Sequence, residues 1–411
     1  MLTPAQAWQT IHETLRPLAA KTLPLHEALL GFLASAIHAD RDIPPADRAA
    51  MDGFAVRALD VAKVPQQLRI IGEVAAGSIA SLAIGPGECL RIFTGANVPP
   101  GADAVVPVED TTLRRFRDTP AGDNVTITAS IPSGANIFRQ GENAGKGREL
   151  LVAGTRLGPR QLAVAAACGH ATLEVHARPG VAILATGAEL LDAVAHLSSS
   201  HETRDSNGPM MAALCEAHRF PVVLRKSIPD DRDATRKAIA FAAARADAIL
   251  MSGGVSAGPY DFVRPALEAL GANIVYHGLA MKPGRPQLFA MIEGRVPVFG
   301  LPGNPLSATV GLYEFALPAL RRLAGCHHDA CRPTWRLALA EDMPCRGSFL
   351  RFVPARLHHA ETGTRAVPLK AIGTADLVTG GLAEGAILAP PGEKLIAAGT
   401  LVDFRPWEFD K

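Results

Sequence analysis

Between residues 180 and 325 the chain alternates short apolar runs with helix-like segments, and this alternation most constrains its fold. The runs 181–185 and 248–251 carry no charge, as expected of strands that are buried on both faces. Further strands are predicted at 221–224, 287–291 and 296–299, and helices at 208–218, 233–244, 262–270 and 306–324. Strands and helices of this length predict a doubly wound, mainly parallel sheet.

The remainder of the chain has a different texture. A helix is predicted at 3–18, where Thr3 and Gln6 have capping-box spacing, and others at 26–37 and 159–168. Short strands between Gly and Pro turns at 68–71, 89–93, 104–108 and 125–128 predict a β lobe. The last 80 residues predict a small β-barrel or sandwich. The fold class is therefore α/β and β multidomain: a doubly wound α/β domain, a β lobe, a discontinuous helical domain and a C-terminal small β-barrel.

Length and composition limit the function classes. The 411 residues exceed one ordinary domain, and 48% hydrophobic content suffices for several cores. The 41 basic and 40 acidic residues nearly cancel and aromatic residues are only 5%, which argues against a nucleic-acid surface. No uncharged apolar run approaches the roughly 18 residues of a membrane span. The N-terminus also lacks signal-peptide order. We therefore expect a cytoplasmic protein that binds neither nucleic acid nor membrane.

Six cysteines are scattered without a CxxC pair, which predicts reduced thiols packed as small apolar groups. The run from Cys326 to Cys331 also contains His327, His328 and Asp329, so thiol and imidazole ligands for zinc lie close in sequence. No second ligand pair follows except the distant His358-His359. A polar linker is therefore favoured over a zinc site.

The turn from Ser252 to Asp261 directly follows an apolar run and contains Gly253, Gly254 and Ser256. Glycines and hydroxyls between a strand and a helix let an anion such as phosphate approach bare backbone. Asp261 would repel a phosphate unless a hard cation such as Mg²⁺ lies between them. A tight strand-to-helix connection is the alternative interpretation.

Other predicted strand ends carry similar residues. They are Thr186-Gly187-Ala188-Glu189, Arg204-Asp205-Ser206-Asn207, Pro229-Asp230-Asp231 and Leu301-Pro302-Gly303-Asn304-Pro305. Helix capping explains each one alone. Together at one sheet edge, they suit a phosphorylated ligand held by backbone and hydroxyls, with carboxylates recruiting Mg²⁺. Lys282 and Arg285 flank a Pro-Gly turn that suits either an oxyanion or a solvated surface loop.

These motifs, with Met281-Lys282-Pro283-Gly284, resemble the molybdopterin molybdenumtransferase family, which includes the gephyrin E domain. In the β lobe, the segments 50–56, 92–96 and 107–109 match as well. The resemblance covers essentially the whole chain. It implies domains at 1–40 plus 146–178, 41–145, 179–327 and 328–411. It also implies a homodimer in which each active site lies between one subunit's α/β domain and the other's β lobe.

The resemblance further implies a reaction in which adenylylated molybdopterin and molybdate give molybdenum cofactor and AMP, with Mg²⁺. Lys282, Arg285 and the helix start near Ser307 are then expected to hold molybdate. Asp230, Asp261 and Glu189 are expected to hold Mg²⁺, and Asp52, Thr94 and Glu109 to reach across from the other subunit. The remaining strand-end residues are expected to bind the pterin substrate: Gly187, Asp205, Ser206, Asn207, Ser252, Gly253, Gly254, Ser256, Pro302, Gly303 and Asn304. The molybdopterin adenylyltransferase and recipient molybdenum enzymes are the expected partners.

Three charges expected from the family pattern are absent at Phe138, Asn143 and Gly278, and Ala188 replaces a polar residue. A charge-assisted hydrogen bond contributes about 1.5–3 kcal/mol, so each loss weakens anion or metal affinity about tenfold or more. Two interpretations remain open. The chain is a working transferase, or it is a non-catalytic protein that binds and delivers molybdopterin or the finished cofactor.

Overall fold

The computed structural model describes residues 1–78, 82–113, 116, 120–256, 258, 261–361 and 363–407. Ala257, Pro259 and Tyr260 of the Gly-rich turn lie outside the described residues. The chain forms two compact units. The first unit comprises Met1–Ser35, Ala153–Leu162 and Ala171–Lys411, and the second comprises Ala36–Val152 and Ala163–His170. The finer division into four domains remains a prediction.

The first unit begins with the helix Pro4–Thr14, and the predicted capping box is present. The Gln6 N–H donates to Thr3 Oγ1 (3.3 Å), and the Thr3 N–H donates to Gln6 Oε1 (2.9 Å). Trp8 is buried on the apolar face of this helix. Leu15 already has extended backbone dihedrals, so the helix ends before the predicted residue 18.

The helix predicted at 26–37 is wrong, because this segment forms turns and short bridges. Leu30 has a φ of 64°, and its N–H donates to the Leu157 carbonyl at 2.8 Å. The Leu33 N–H donates to the Thr155 carbonyl at 3.0 Å. Backbone groups that a helix would pair locally are paired here with a distant segment. Phe32 and Leu33 are therefore buried without a helix.

The two sequence segments of the predicted discontinuous domain contain strand pairs as well as helices. Ala20–Pro24 pairs antiparallel with Thr172–His176 in the first unit, and Ile37–His38 pairs with Glu149–Leu151 in the second. The helix predicted at 159–168 is present as Pro159–Ala167. The segments are thus joined by sheet pairing rather than by helices alone.

A six-stranded sheet lies at the centre of the α/β domain. Its spatial order is Val222–Ile228, Val181–Thr186, Ala248–Ser252, Val296–Leu301, Leu288–Ile292 and Asn273–His277. The first four strands are parallel, and the last two pairings are antiparallel. The predicted, mainly parallel sheet is therefore confirmed.

Helices cover both faces of this sheet, as a doubly wound fold requires. Val181 and Ile183 pack into one apolar core, whereas Ala182 and Leu184 pack into the other. The helix Asn207–Ala217 and the continuous helical segment Pro305–Gly311, Leu312–Ala316 (π-helical) and Leu317–Leu323 cover the first face. The helices Arg232–Ala243 and Val263–Ala269 cover the second.

The C-terminal part of the first unit is a small closed β-barrel, one of the two predicted architectures. In barrel order its strands are Leu350–Ala360, Gly363–Pro368, Trp335–Leu339, Leu401–Pro406 and Gly385–Ala389, and the last pairs again with the first. The two-residue strand Met281–Lys282 pairs in parallel with Leu350–Ala360. Smaller elements are the helices His328–Cys331 and Leu377–Leu382 and the strands Leu190–Leu191, Thr203–Arg204, Met343–Pro344 and Leu395–Ile396. The barrel is thus attached directly to the loop that contains Lys282.

The second unit contains the predicted β lobe. Its five-stranded sheet has the order Ala104–Pro107, Gly53–Val56, Glu88–Ile92, Gln66–Val74 and Asn124–Ile127. All four strands predicted in this region are present. Arg48–Ala49 pairs with Ile137–Phe138, and 3₁₀ turns lie at Ala58–Val61 and Val108–Asp110. Within the residues described in both units, no helix is long and apolar enough to cross a membrane.

Candidate functional site

The carboxyl ends of two neighbouring parallel strands diverge at one point of the six-stranded sheet. From Val181–Thr186 the chain passes outward to Val222–Ile228, then returns to Ala248–Ser252 on the other side. Such a reversal of strand order leaves a crevice in which α/β proteins bind ligands. The Thr186 hydroxyl donates to the Ser252 carbonyl at 3.4 Å across this crevice. The predicted strand-end residues are arranged around it.

Gly253 and Gly254 form a turn that only glycine fits. Their φ angles are 85° and 65°, and a Cβ on Gly253 would lie 2.5 Å from the Thr186 carbonyl oxygen. The Gly253 N–H donates to the Leu301 carbonyl (3.1 Å), so this group is already paired within the protein. Ser256 is exposed farther along the turn. The turn therefore lets a ligand approach its backbone closely, but the Gly253 N–H is not free to bind that ligand.

Asn207 brings three of the predicted strand ends together. Its Nδ2 donates to Ser252 Oγ at 2.7 Å and to the Gly303 carbonyl at 2.8 Å. Asn207 and Ser252 are both buried, and Pro302 is buried beside Gly303. The turns after Ala248–Ser252 and Val296–Leu301 are thus fixed to the start of the helix Asn207–Ala217.

Asp205 stabilises the start of the same helix. Its Oδ1 accepts the Gly208 N–H at 2.8 Å, and its Oδ2 lies 3.6 Å from Arg225 Nη2. Ser206 occupies the N-cap position but makes no capping hydrogen bond with its side chain. The Asp205 carboxylate is therefore paired within the protein, next to Asn207, which is expected to bind substrate.

The three carboxylates expected to hold Mg²⁺ each contact nearby backbone. Asp230 Oδ2 accepts the Ala188 N–H at 3.0 Å, and Asp261 Oδ2 accepts the Gly258 N–H. The Glu189 carboxylate folds back over Gly187, where a Cβ would lie 2.9 Å from both of its oxygens. Among the described residues, no group of three His, Cys, Asp or Glu side chains is placed to hold a metal ion. These carboxylates supply hard oxygen ligands but do not form a three-ligand cage.

A cavity of about 640 Å³ lies between the Lys282 loop and the β-barrel, and its charged lining comprises three cationic side chains and two acidic ones, Glu341 and Asp342. Lys282 comes from the α/β domain, whereas Arg351 and Lys370 come from the barrel. Lys282 and Arg351 are paired in register by the bridge between their short strands. Sequence analysis identified Lys282 but missed Arg351 and Lys370, because no motif near them distinguishes them from surface charges.

Thr374 connects this cavity, which it also lines, to the Pro-Gly-Asn-Pro turn. Asn304 Nδ2 donates to Thr374 Oγ1 at 3.0 Å. The Ser307 N–H donates to the Thr374 carbonyl at 3.4 Å, so the helix start expected to hold molybdate is partly covered by a barrel loop. The Gly303–Asn304 turn thus contacts Asn207 on one side and the cationic cavity on the other.

The structure does not bring Arg285 into this cavity. Arg285 is exposed and is not among the residues that line it, whereas Lys282, three positions earlier, is. Gly278, where a basic residue is expected, has a φ of 89°. This dihedral favours glycine and disfavours lysine or arginine. The missing charge at residue 278 is therefore accompanied by a backbone conformation suited to glycine.

In the second unit, Asp52 and Thr94 form a local pair. The Thr94 N–H and its hydroxyl both donate to Asp52 Oδ1 at 2.8 Å. Glu109 is exposed in the 3₁₀ turn Val108–Asp110. Two of the three residues expected to reach across a dimer are thus brought together.

A cavity of about 420 Å³ in the second unit is lined by Thr94 together with Phe138 and Asn143. Two of the departures from the family pattern therefore lie beside one predicted site residue. Arg41 and Arg48 also line this cavity, and sequence analysis did not single them out. Phe138 is half exposed at 51%, so an apolar ring faces solvent where the family pattern has a charge.

The segment from Cys326 to Cys331, predicted as a polar linker, exposes His327 and Asp329 but buries the cysteines at its two ends. Both cysteines are buried within the largest apolar core. The Cys331 thiol donates a hydrogen bond to Cys326, and this bond together with burial raises the pKa of Cys331 far above its usual range. The His328 ring stacks against Trp8 at 6.2 Å and contacts the His12 ring edge-on at 4.3 Å. The segment therefore packs the N-terminal helix against the connection to the barrel.

Comparisons with known proteins agree with this architecture. Residues 2–169 match the family described as "MoeA N-terminal region (domain I and II)". Residues 182–322 match the family described as "Probable molybdopterin binding domain". The matches include the strand ends of the α/β domain and the Asp52–Thr94 pair of the β lobe.

Several similar proteins match along nearly their whole length. A molybdopterin molybdenumtransferase of Bacillus subtilis is 35% identical over 385 residues, which cover 92% of this chain and 87% of that protein. One from Staphylococcus aureus (strain COL) is 32% identical, covering 98% of this chain and 95% of that protein. The crystal structure of a molybdopterin biosynthesis MoeA protein from Pyrococcus horikoshii OT3 is 26% identical, with a TM-score of 0.81, and covers 99% and 100% of the two chains.

Proposed function

The chain belongs to the molybdopterin molybdenumtransferase family, and from this premise we propose that it inserts molybdate into adenylylated molybdopterin with release of AMP. Its role is in molybdenum cofactor biosynthesis, and its relatives are named as enzymes. The observation that carries the proposed reaction is the cationic cavity lined by Lys282, Arg351 and Lys370. Molybdate is a tetrahedral dianion, and these three cations outnumber the two acidic residues, Glu341 and Asp342, that line the same cavity.

The cationic side chains differ in what they offer an oxyanion. Lys282 and Lys370 act as point charges, whereas the Arg351 guanidinium can donate two parallel hydrogen bonds. Thr374 and Asn304 are hydrogen-bonded beside them and connect the cavity to the Gly303 turn. We propose that molybdate is held here while the pterin lies along the Ser252–Asn207 side of the crevice. This arrangement would bring metal oxyanion and substrate to one edge of the sheet.

Magnesium dependence is part of the proposal. Magnesium commonly takes one or two protein carboxylates and completes its octahedron with water and substrate phosphate oxygens. Asp261, Asp230 and Glu189 therefore fit this ion in chemistry, although they do not form a three-ligand cage without substrate. When bound, Mg²⁺ would neutralise charge on the phosphoanhydride oxygens that AMP carries away. The protein's own contribution is to orient Asp230 through the Ala188 amide and Asp261 through the Gly258 amide.

We also propose a homodimer in which Asp52, Thr94 and Glu109 of one copy face the α/β site of the other. The two Thr94 donors held on one Asp52 oxygen support a fixed polar group at this position. The molybdopterin adenylyltransferase that supplies the substrate and the molybdenum enzymes that receive the product are proposed as further partners. Sedimentation equilibrium tests the dimer, because a monomer at micromolar concentration would contradict it.

A second function is supported by Phe138 and Asn143. An exposed aromatic ring and a neutral amide beside Thr94 suit a protein that holds molybdopterin, or the finished cofactor, for delivery without catalysis. The two functions predict different products. Only the transferase releases AMP in proportion to cofactor formed.

The deciding experiment incubates the purified protein with adenylylated molybdopterin, molybdate and Mg²⁺, and measures both AMP and molybdenum cofactor. The transferase proposal predicts equal amounts of both, with loss of AMP release in Asp261→Asn and no change in its sedimentation. Tight pterin binding with no AMP from the wild-type protein would refute catalysis and favour delivery. AMP release that is unchanged in Asp261→Asn would refute the role given to Asp261 alone.

A further inference from the structure

We infer that Asn207 is a positioning residue that makes Ser252 a hydrogen-bond donor to an oxygen of the molybdopterin half of the substrate. The inference rests on the proposed function for its ligand. It deepens that function by giving each of the two side chains a distinct task. Asn207 holds the crevice together, and Ser252 contacts the ligand.

The orientation of the Asn207 amide follows from its partners. A backbone carbonyl can only accept, so the group that lies 2.8 Å from the Gly303 oxygen must be Nδ2. The same Nδ2 lies 2.7 Å from Ser252 Oγ. Asn207 therefore donates to Ser252, and the reverse direction is excluded.

This donation determines what the Ser252 hydroxyl can do. Because its oxygen accepts from Asn207, its single hydrogen has to point to another acceptor. Within the part of the chain that the structure describes, Asn207 is the hydrogen-bond partner of this hydroxyl, and no residue accepts its hydrogen. Ser252 is only 3% exposed, so bulk water has little access to this hydrogen as an acceptor. A ligand oxygen in the crevice would supply the missing acceptor.

The Asn207 amide keeps this orientation although it leaves one of its own atoms unpaired. Asn207 Oδ1 is buried and has no hydrogen-bond partner among the described residues. Burying an unpaired acceptor costs stability. A flip of the amide would place Oδ1 against the Gly303 carbonyl, which is worse. The local arrangement therefore favours ligand contact by Ser252 over full pairing within the protein.

The position of Ser252 suits a pterin contact. It ends the strand Ala248–Ser252 at the point where strand order reverses. The Gly253 N–H beside it is taken by the Leu301 carbonyl, whereas the hydroxyl hydrogen remains available at this strand end. The cationic cavity lies beyond Gly303 and Asn304, on the other side of the turn. Ser252 is thus on the substrate side of the site.

A double-mutant cycle in ligand binding tests this inference. Anaerobic equilibrium dialysis against molybdopterin, read by pterin fluorescence, gives the Kd of the wild-type protein, Ser252→Ala, Asn207→Ala and the double variant. We expect each single change, and the double change, to raise the Kd about tenfold, because both remove the same hydrogen bond. The KM for molybdate should stay unchanged, which a general loss of structure would not allow.

Several results would overturn the inference. An approximately hundredfold effect in the double variant would show that the residues act independently. An unchanged Kd in Ser252→Ala would remove the proposed contact, and weaker binding of AMP but not of molybdopterin would place it on the wrong half of the substrate.

If Asn207→Ala does not fold, Asn207→Asp replaces it, since aspartate has the same size and no N–H donor. Asn273→Ala, an exposed change at the opposite edge of the sheet, is the control. Failure of AMP release by the wild-type protein would refute the proposed function but leave this binding cycle interpretable.

Discussion

Lys282 and Arg351 are register partners across the pairing of Met281–Lys282 with the barrel strand Leu350–Ala360. They lie 69 positions apart in sequence, yet both line the same cavity. The barrel therefore supplies charge directly to a cavity that it shares with the Lys282 loop of the α/β domain. Anion binding should depend on both residues.

We predict that Lys282→Ala and Arg351→Ala each raise the KM for molybdate about tenfold or more, because each removes a charge-assisted hydrogen bond. The KM for adenylylated molybdopterin should change little. Arg346→Ala, which removes an exposed arginine from the same barrel outside the cavity, is the matched control. Steady-state AMP release at varied molybdate measures all three. Equal KM values in Arg351→Ala and Arg346→Ala would contradict the role of Arg351.

The sequence was sufficient to predict the sheet and which residues follow its strands. Apolar runs followed by Gly, Ser, Asn and Asp placed Gly253, Ser252 and Asn207 at neighbouring strand ends, where the structure has them. Arg351 and Lys370 were not predictable, because their place depends on a two-residue strand pairing and on barrel closure. No local pattern encodes such a long-range contact. The same reason explains residues 26–37. Their apolar spacing resembles that of a helix, but the N–H groups of Leu30 and Leu33 donate to the distant carbonyls of Leu157 and Thr155.

Glu314 is fully buried, and the pairing of its carboxylate with two arginines should be essential for stability. It lies in the π-helical segment, with Arg405 Nε at 2.8 Å and Arg332 Nη1 at 3.5 Å. Burial lowers the pKa of Arg332 to about 10, which leaves it charged at neutral pH. Glu314→Gln would leave two buried guanidinium groups without a counter-charge.

We predict that Glu314→Gln lowers the free energy of unfolding by about 3–5 kcal/mol. Urea denaturation followed by tryptophan fluorescence measures this, since Trp407 stacks on Tyr313 next to Glu314. Glu393→Gln, which neutralises an exposed barrel carboxylate, should change the stability by less than about 0.5 kcal/mol. Similar midpoints for the two variants would disprove the prediction.

Gly53 has no room for a side chain at the centre of the β lobe. A Cβ at this position would lie 1.9 Å from the Val106 carbonyl oxygen, in the pairing of Gly53–Val56 with Ala104–Pro107. We predict that Gly53→Ala destabilises the second unit by about 1–3 kcal/mol or more. Gly381→Ala is the control, because nothing lies within 4 Å of its Cβ position.

The readout for Gly53→Ala has to come from the second unit itself. All three tryptophans, at 8, 335 and 407, belong to the first unit, so their fluorescence does not report on the β lobe. Hydrogen exchange of the amides in 53–56 and 104–107 does. Faster exchange in Gly53→Ala but not in Gly381→Ala is expected, and unchanged protection would show that the sheet accommodates the methyl group.

Asp47 holds the loop that contains Arg139, and its effect on stability should depend on pH. Asp47 Oδ1 accepts the Gln140 N–H at 2.8 Å, and Oδ2 pairs with Arg139 Nη1 at 2.6 Å. The Gln140 amide, followed by Arg139, lowers the pKa of the Asp47 carboxyl below its ordinary 3.8. Because the folded-state pKa is depressed, the stabilisation is fully present above pH 3.8 and is lost as pH falls through the folded-state value.

We therefore predict that Asp47→Asn destabilises the second unit at pH 7 and that the difference from wild type shrinks below pH 3.8, disappearing as the pH falls through the lower folded-state pKa. More than a third of the Asp47–Arg139 pair is exposed to solvent, so screening should limit the effect to about 0.5–1 kcal/mol. Hydrogen exchange of the amides in 137–142, corrected for the intrinsic pH dependence, measures the difference. Asp40→Asn is the control, since the nearest cation to that carboxylate, Arg41 Nε, is 4.0 Å away. A constant gap between Asp47→Asn and wild type from pH 7 to pH 3 would show that the Asp47 charge does not hold this loop.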